Sequence, residues 1–146
     1  AEAPTWQARF EILAAFLDRR IAAGPRADPA VEWALRRLRA AGGDIRIQAL
    51  ADRLGWSRRH LVRRFREQVG LSPKTVARVL RFERATALLA DGSRPLARVA
   101  ADAGYADQAH LTREIRALVR CAPREYAASL RRSAPGMPVM SHFFNS

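Results

Sequence analysis

The 146-residue sequence holds one cysteine, Cys121, and one lysine, Lys74. A lone cysteine closes no intramolecular disulfide and builds no cysteine-rich metal cluster, so Cys121 is expected to fill a small apolar gap. The three histidines, His60, His110 and His142, fall in separate segments, which makes a zinc site improbable. No apolar run approaches the ~20 residues that a membrane-spanning helix needs. The start lacks the pattern of a signal peptide with its cleavage site. No segment alternates with period two, so strands are not expected. A nucleotide-binding glycine loop, a G-x-S-x-G phrase and an H-E-x-x-H phrase are also missing. These absences leave a soluble, intracellular, all-α protein, not an enzyme and without cofactor or metal, as the expectation. Because it opens on Ala1 rather than Met, the chain is expected to be a piece of something longer.

Charge of one sign is plentiful. Twenty-six Lys and Arg stand against fourteen Asp and Glu, a formal net charge of +12. Residues 1–44 carry seven arginines against six carboxylates, whereas residues 45–132 carry nineteen basic side chains against eight, so the two stretches stand at +1 and +11. An alanine-rich composition with arginine in place of lysine is what a GC-rich genome produces without selection for charge. That bias does not explain a neutral first third. A concentrated basic field points first to nucleic acid, because each neutralised phosphate releases condensed counterions. A membrane surface is the competing partner, set aside because no run is long and apolar enough to span a bilayer and no signal-peptide pattern is present, so no membrane is expected; an acidic protein could also use the basic face.

Apolar periodicity organises the chain. Trp6, Phe10, Leu13, Leu17 and Ile21 recur at helical intervals until "AGPRADP" at 23–29, and a second amphipathic helix runs through Val31, Leu35 and Leu38 to the glycines at 42 and 43. Helices are then expected at 46–54, 58–69, 73–90, 95–103, 107–119 and 123–130. Gly55 and Gly104 can take positive φ at helix ends, Ser57 can cap the next helix, and Pro73, Pro95 and Pro123 fit first helical turns. In the segment 73–90, Val76, Val79, Leu80, Phe82 and Ala87 to Leu89 are expected to serve two small cores. Arg78, Arg81 and Arg84 would either reach phosphates or, for the latter two, pair with Glu83 and neighbouring carboxylates. The division is 1–44 as an N-terminal helical extension, 45–132 as the principal domain, and 133–146 as an irregular tail.

Within that domain one phrase occurs twice. Leu50-Ala51, Gly55-Trp56, Leu61, Arg63, Phe65, Val69 and Pro73 correspond to Val99-Ala100, Gly104-Tyr105, Leu111, Arg113, Ile115, Val119 and Pro123. The offset is 49 before the turn and 50 after it, so the second turn has one more residue. Each copy reads as a short helix, a glycine turn and a longer helix, a helix-turn-helix. With Leu61 and Phe65, or Leu111 and Ile115, turned inward, the outer faces present Arg58, Arg59, Val62, Arg63 and Arg66 in the first copy, and Gln108, Ala109, Thr112, Arg113 and Arg116 in the second. Arginine can bind guanine with two hydrogen bonds, glutamine can do so for adenine, and small apolar groups meet a thymine methyl. A solvated polar face is the plainer alternative. Two readers would address major-groove segments about 34 Å apart. Eighteen linker residues span only about 27 Å, so a modest DNA bend or a shallower second contact is expected.

The phrases "ALADRLGWSRRHLVRRFREQVGLSPKTVARVLRFERATALL" and "LARVAADAGYADQAHLTREIRALVRCAPREYA" resemble the DNA-binding domain of AraC/XylS-type bacterial transcription regulators over about residues 45–130. The resemblance implies two homeodomain-like helix-turn-helix subdomains joined by a linker helix. It implies base contacts from Arg59, Val62, Arg63, Gln108, Ala109, Thr112 and Arg113, and phosphate contacts from Ser57, His60 and nearby arginines, for which Arg58, Arg66 and Arg116 are the candidates. Double-stranded promoter DNA and RNA polymerase would be the partners, in a bacterial cytoplasm. Family members commonly carry an N-terminal sensor domain, for which the upstream sequence is too short; the effector is unspecified. The second copy departs from the family at Ala106, Ala109, Leu111 and Ile115. Arg120, where glycine is usual, puts the turn there in question, since a non-glycine residue at positive φ costs energy.

Other readings stay open. Ada-type DNA alkyltransferases resemble the same fold beside a reactive cysteine, but Cys121 lacks a second cysteine and lies in an apolar setting. The stripe Trp6, Phe10, Leu13 and Leu17 could form a homodimer seam, pack on a missing sensor domain, or pack on this domain. A basic protein-interaction module is the remaining alternative.

Overall fold

A computed structural model of the chain describes residues 28–133 together with Ala15 and Arg19. The described residues form two compact units. One holds residues up to Leu38 and Ile45–Val76, and the other holds Arg39–Asp44 and the residues from Ala77 onward. Ala15 and Arg19 are helical. The rest of the first expected helix, 6–21, and the tail beyond Ser133 lie outside the described residues.

The first unit contains α1 (Pro29–Ala40), α2 (Ile47–Leu54), α3 (Arg58–Val69) and the opening turn of α4 (Pro73–Asp91). Helix α1 starts where Asp28 Oδ1 accepts the Ala30 N–H at 3.0 Å and Pro29 supplies a preset φ. Val31, Ala34, Leu35 and Leu38 form its buried stripe. Leu50, Ala51, Leu61, Phe65, Val69 and Val76 complete the core of this unit, with Leu50, Leu61 and Phe65 fully enclosed.

The second unit is built from the remainder of α4 with α5 (Leu96–Asp102), α6 (Gln108–Val119) and α7 (Pro123–Ser133). Leu80, Phe82, Ala85, Leu89, Val99, Leu111, Ile115 and Leu130 are among its buried residues. Phe82 stacks on Tyr126 with centroids 6.0 Å apart, and Tyr126 OH lies 3.2 Å from Thr86 Oγ1. The end of α1 and the turn after it, residues 39–44, belong to this unit, and Arg81 Nη1 of α4 donates to the Gly43 carbonyl at 3.1 Å.

Within residues 28–133 the expected helices are found, with differences at their ends. Pro95 precedes α5 in extended conformation instead of entering its first turn, and α7 runs to Ser133 because its apolar face continues through Leu130. On α4 the inward positions include Val76, Ala77, Leu80, Phe82, Ala85 and Leu89, while Val79 and Leu88 are half-buried and Ala87 is exposed. The 82, 85, 89 spacing is one helical stripe, and a run such as 87–89 turns through most of the circumference, so only Leu89 stays on it. Arg81 is engaged by Gly43, the Arg84 side chain lies alongside Gly42, and Arg78 pairs with Glu114. Among the described residues no helix is long and apolar enough to cross a membrane.

Candidate nucleic-acid interface

The two copies of the repeat share their turn hydrogen bonds. In the first, the N–H groups of Gly55 and Trp56 reach the carbonyls of Asp52 and Ala51 at 3.1 and 2.9 Å; in the second, those of Gly104 and Tyr105 reach Ala101 and Ala100 at 3.3 and 2.9 Å. Gly55 and Gly104 have φ of 67° and 84°, where glycine avoids the Cβ penalty. Each following helix is capped by a side chain. Ser57 Oγ accepts the His60 N–H at 3.1 Å, and Asp107 Oδ1 accepts the His110 N–H at 2.7 Å. Cap and turn together fix where α3 and α6 begin.

A second constraint repeats beside the cap. The His60 ring meets Trp56 edge-on at 4.5 Å between centroids, and the His110 ring meets Tyr105 edge-on at 5.0 Å. The additional residue of the second turn is Ala106, inserted between aromatic and cap, and its N–H donates to His110 Nδ1 at 3.3 Å. In the first copy, which has no such residue, His60 Nδ1 lies 3.0 Å from Arg63 Nη2. Both histidines therefore have a structural part in the turn. These ring contacts were not legible in the sequence.

With Leu61, Phe65, Leu111 and Ile115 fully enclosed, the opposite faces of α3 and α6 are outward. Ser57, Arg58, Arg59, Arg63 and Arg66 are exposed, with His60 and Val62 half-buried; Gln108, Ala109, Arg113 and Arg116 are exposed, with Thr112 half-buried. The first seven residues come together on and beside α3, and the other five lie on α6. The carboxylates on these helices are paired with arginines. Glu67 pairs with Arg64 at 2.8 Å, and Glu114 pairs with Arg78 at 2.5 Å. These ion pairs were not read from the sequence. The D-P step at Asp28-Pro29 was the available sign that Asp28 caps a helix.

Cys121 is half-buried at a shallow depression lined by Arg116, Ala117, Arg120, Ala122 and Glu125. Burial and the Glu125 carboxylate push its thiol pKa up, which disfavours the thiolate that a methyl-accepting cysteine needs. Arg120 closes α6 at φ 59°, the one non-glycine residue at positive φ among those described. Among the described residues no group of three or more His, Cys, Asp or Glu could hold a metal ion.

Comparison with known proteins agrees with this geometry. Over 68 residues, 47% of this chain, the sequence is 34% identical to the uncharacterized HTH-type transcriptional regulator YbfI of Bacillus subtilis, and it spans 24% of that protein's length. The C-terminal domain of AraT, a response regulator from Geobacillus stearothermophilus, has a similar fold, with a TM-score of 0.65 over 81% of this chain and 98% of that one at 22% identity. Residues 50–129 match the family described as a helix-turn-helix domain, so the two repeated modules lie within the match, and the chain belongs to the AraC-type helix-turn-helix DNA-binding family.

Proposed function

We propose that the chain is the DNA-reading part of a transcription regulator, and that α3 and α6 enter two adjacent major-groove segments of one promoter site. The observation that carries this reading is the repeated outward face, arginine-rich on α3 and mixed Gln-Ala-Thr-Arg on α6, set on two modules with the same turn and cap. In this reading Arg59, Val62 and Arg63 read bases in one segment, and Gln108, Ala109, Thr112 and Arg113 read them in the other. Ser57, Arg58, His60, Arg66 and Arg116 hold phosphates, which supplies salt-dependent affinity without sequence choice.

Residues 45–132 act as the DNA-binding domain, 1–44 as the connector to a sensor domain or to a second copy of the chain, and 133–146 as a tail. Bound to its promoter in a bacterial cytoplasm, the regulator would recruit or obstruct RNA polymerase. Helix α4 has 19 residues, a rise of about 28 Å, so one DNA turn is met by a modest bend toward the protein or by shallower docking of one module.

Hydroxyl-radical footprinting of a bound duplex, with bend angle measured on the same complex, tests the arrangement. Two protected patches on one side of the helix, separated by one turn and accompanied by a bend, are expected. A single patch removes the two-reader reading, and two equally strong patches on unbent DNA remove the bend.

A further inference from the structure

The two reading helices carry ion pairs of opposite polarity at the same register position. Arg64 on α3 and Glu114 on α6 are related by the offset of 50 that relates the helices. Arg64 Nη2 lies 3.1 Å from Asp28 Oδ2. Glu114 receives Arg78 of α4 through Nε at 2.5 Å and Nη2 at 3.4 Å. Both carboxylates are largely covered, with side-chain exposures of 20% for Asp28 and 13% for Glu114. Each pair lies within its own compact unit.

Asp28 makes four hydrogen bonds, one of them through its carbonyl, which accepts the Glu32 N–H at 3.0 Å. Oδ1 caps α1 at Ala30, Oδ2 takes Arg64, and the backbone N–H donates to Gln68 Oε1 at 2.9 Å. Arg64 and Gln68 are one turn apart on α3, so the point where the chain enters from residues 1–27 is fastened to that helix at two successive turns. Burial alone would raise the Asp28 carboxyl pKa, but the Ala30 N–H and Arg64 overcome it and hold the group below its usual value. The corresponding residue of α6, Glu114, is held by Arg78 of the linker helix.

Building on the proposed two-groove reading, we infer that Asp28 is a positioning residue for α3, coupling the start of α1 to the first reader, and that Arg78–Glu114 positions α6. The reason is geometric. A side chain fixed at position 64 fixes the rotation of α3 about its axis, and with it the direction of Arg59, Val62 and Arg63. At a side-chain radius of about 6 Å, a 10° rotation displaces a tip by about 1 Å, enough to spoil one arm of a bidentate hydrogen bond. Both pairs are open to solvent on the arginine side, at 36% exposure for Arg64 and 49% for Arg78, and such pairs add little to stability, so the effect should be read in base discrimination. An upstream movement transmitted through Asp28 would change which sequence the first module prefers and leave the second unchanged.

The test uses the full 146-residue chain and a duplex selected for binding to it, with each half-site scrambled in turn. Affinities are measured for the unaltered protein, Asp28→Ala, Asp28→Glu and Glu114→Gln, with thermal unfolding in parallel. Asp28→Ala is expected to reduce discrimination at the α3 half-site by about five-fold and leave the other unchanged, with Asp28→Glu restoring most of it. Glu114→Gln should do the converse. Equal loss at both half-sites that follows loss of stability, or unchanged discrimination in Asp28→Ala, overturns the inference while leaving the function intact. An unaltered protein that discriminates at neither half-site overturns the two-groove reading, and the inference with it.

Discussion

Arg120 occupies in the second module the helix-ending position that Gly70 occupies in the first. Gly70 has φ 88° and ψ −5°, Arg120 has φ 59° and ψ 29°, and their N–H groups bond to the carbonyls of Arg66 and Arg116 at 2.9 and 3.1 Å. The turn thus keeps its shape although the residue that accommodates it without strain is absent. An L-residue with a side chain pays about 1 kcal/mol or more in this region, while glycine adds entropy to the unfolded chain. Arg120→Gly should therefore stabilise the protein by about 0.5–1 kcal/mol, seen as a higher urea midpoint, and Gly70→Arg should lower it. An unchanged or lowered midpoint for Arg120→Gly would show that Arg120 makes compensating contacts.

Two other glycines separate conformational strain from collision. A Cβ on Gly55, at φ 67°, would meet nothing within 4 Å, whereas one on Gly43, at φ 80°, would strike the Ala77 backbone carbonyl. Gly55→Ala is expected to cost about 1 kcal/mol, from φ alone. Gly43→Ala should cost about 3 kcal/mol or more, since backbone must move and the Arg81 contact to the Gly43 carbonyl moves with it. Equal costs in chemical denaturation would refute the close approach of Gly43 to α4.

Glu83 gives the second unit a pH dependence. Burial, opposed by the Arg39 charge, pushes its carboxyl pKa from 4.5 up to about 7, and Oε1 has no hydrogen-bond partner. Between those values the folded state holds a proton that the unfolded state has released, so stability falls as pH rises from 4.5 to about 7 and is then level. Glu83→Gln should remove this slope. Its gain over the unaltered protein should be small at pH near 4 and about 1 kcal/mol at pH near 8, less than the full shift would give because solvent reaches part of the carboxylate. Unfolding midpoints at both pH values check it, and a gain that is the same at both would refute it.

Phosphate contacts have a signature of their own. Arg66→Ala and Arg116→Ala should each weaken binding to all duplexes alike and lower the slope of log affinity against log salt by about 1. A sequence-dependent loss with unchanged slope would move those arginines into the base-reading set.

The repeat made much of this architecture legible. Glycine followed by an aromatic residue, with an N-cap one or two residues further on, set the turns, and paired inward residues at i,i+4 fixed which faces of α3 and α6 remain outside. What the sequence hid depends on contacts between distant segments. Asp28–Arg64 is separated by 36 residues, and so is Arg78–Glu114; no local pattern selects one carboxylate among many for a given arginine. The same limit applies to α4, where small residues such as Ala77 and Ala85 are buried while Ala87 is exposed, because alanine carries too weak a hydropathy signal to mark a face. Cys121 shows it again: expected inside, it is half-buried.

The most direct measurement is selection of bound duplexes from a random-sequence pool by the whole chain, repeated with Arg63→Ala and with Arg113→Ala. Two short motifs about one helical turn apart, each relaxed by only one of the substitutions, are the expected result. Recovery of no motif, with binding that disappears at moderate salt and equal loss in both variants, would mean that these arginines contact phosphate alone and would contradict the two-reader account.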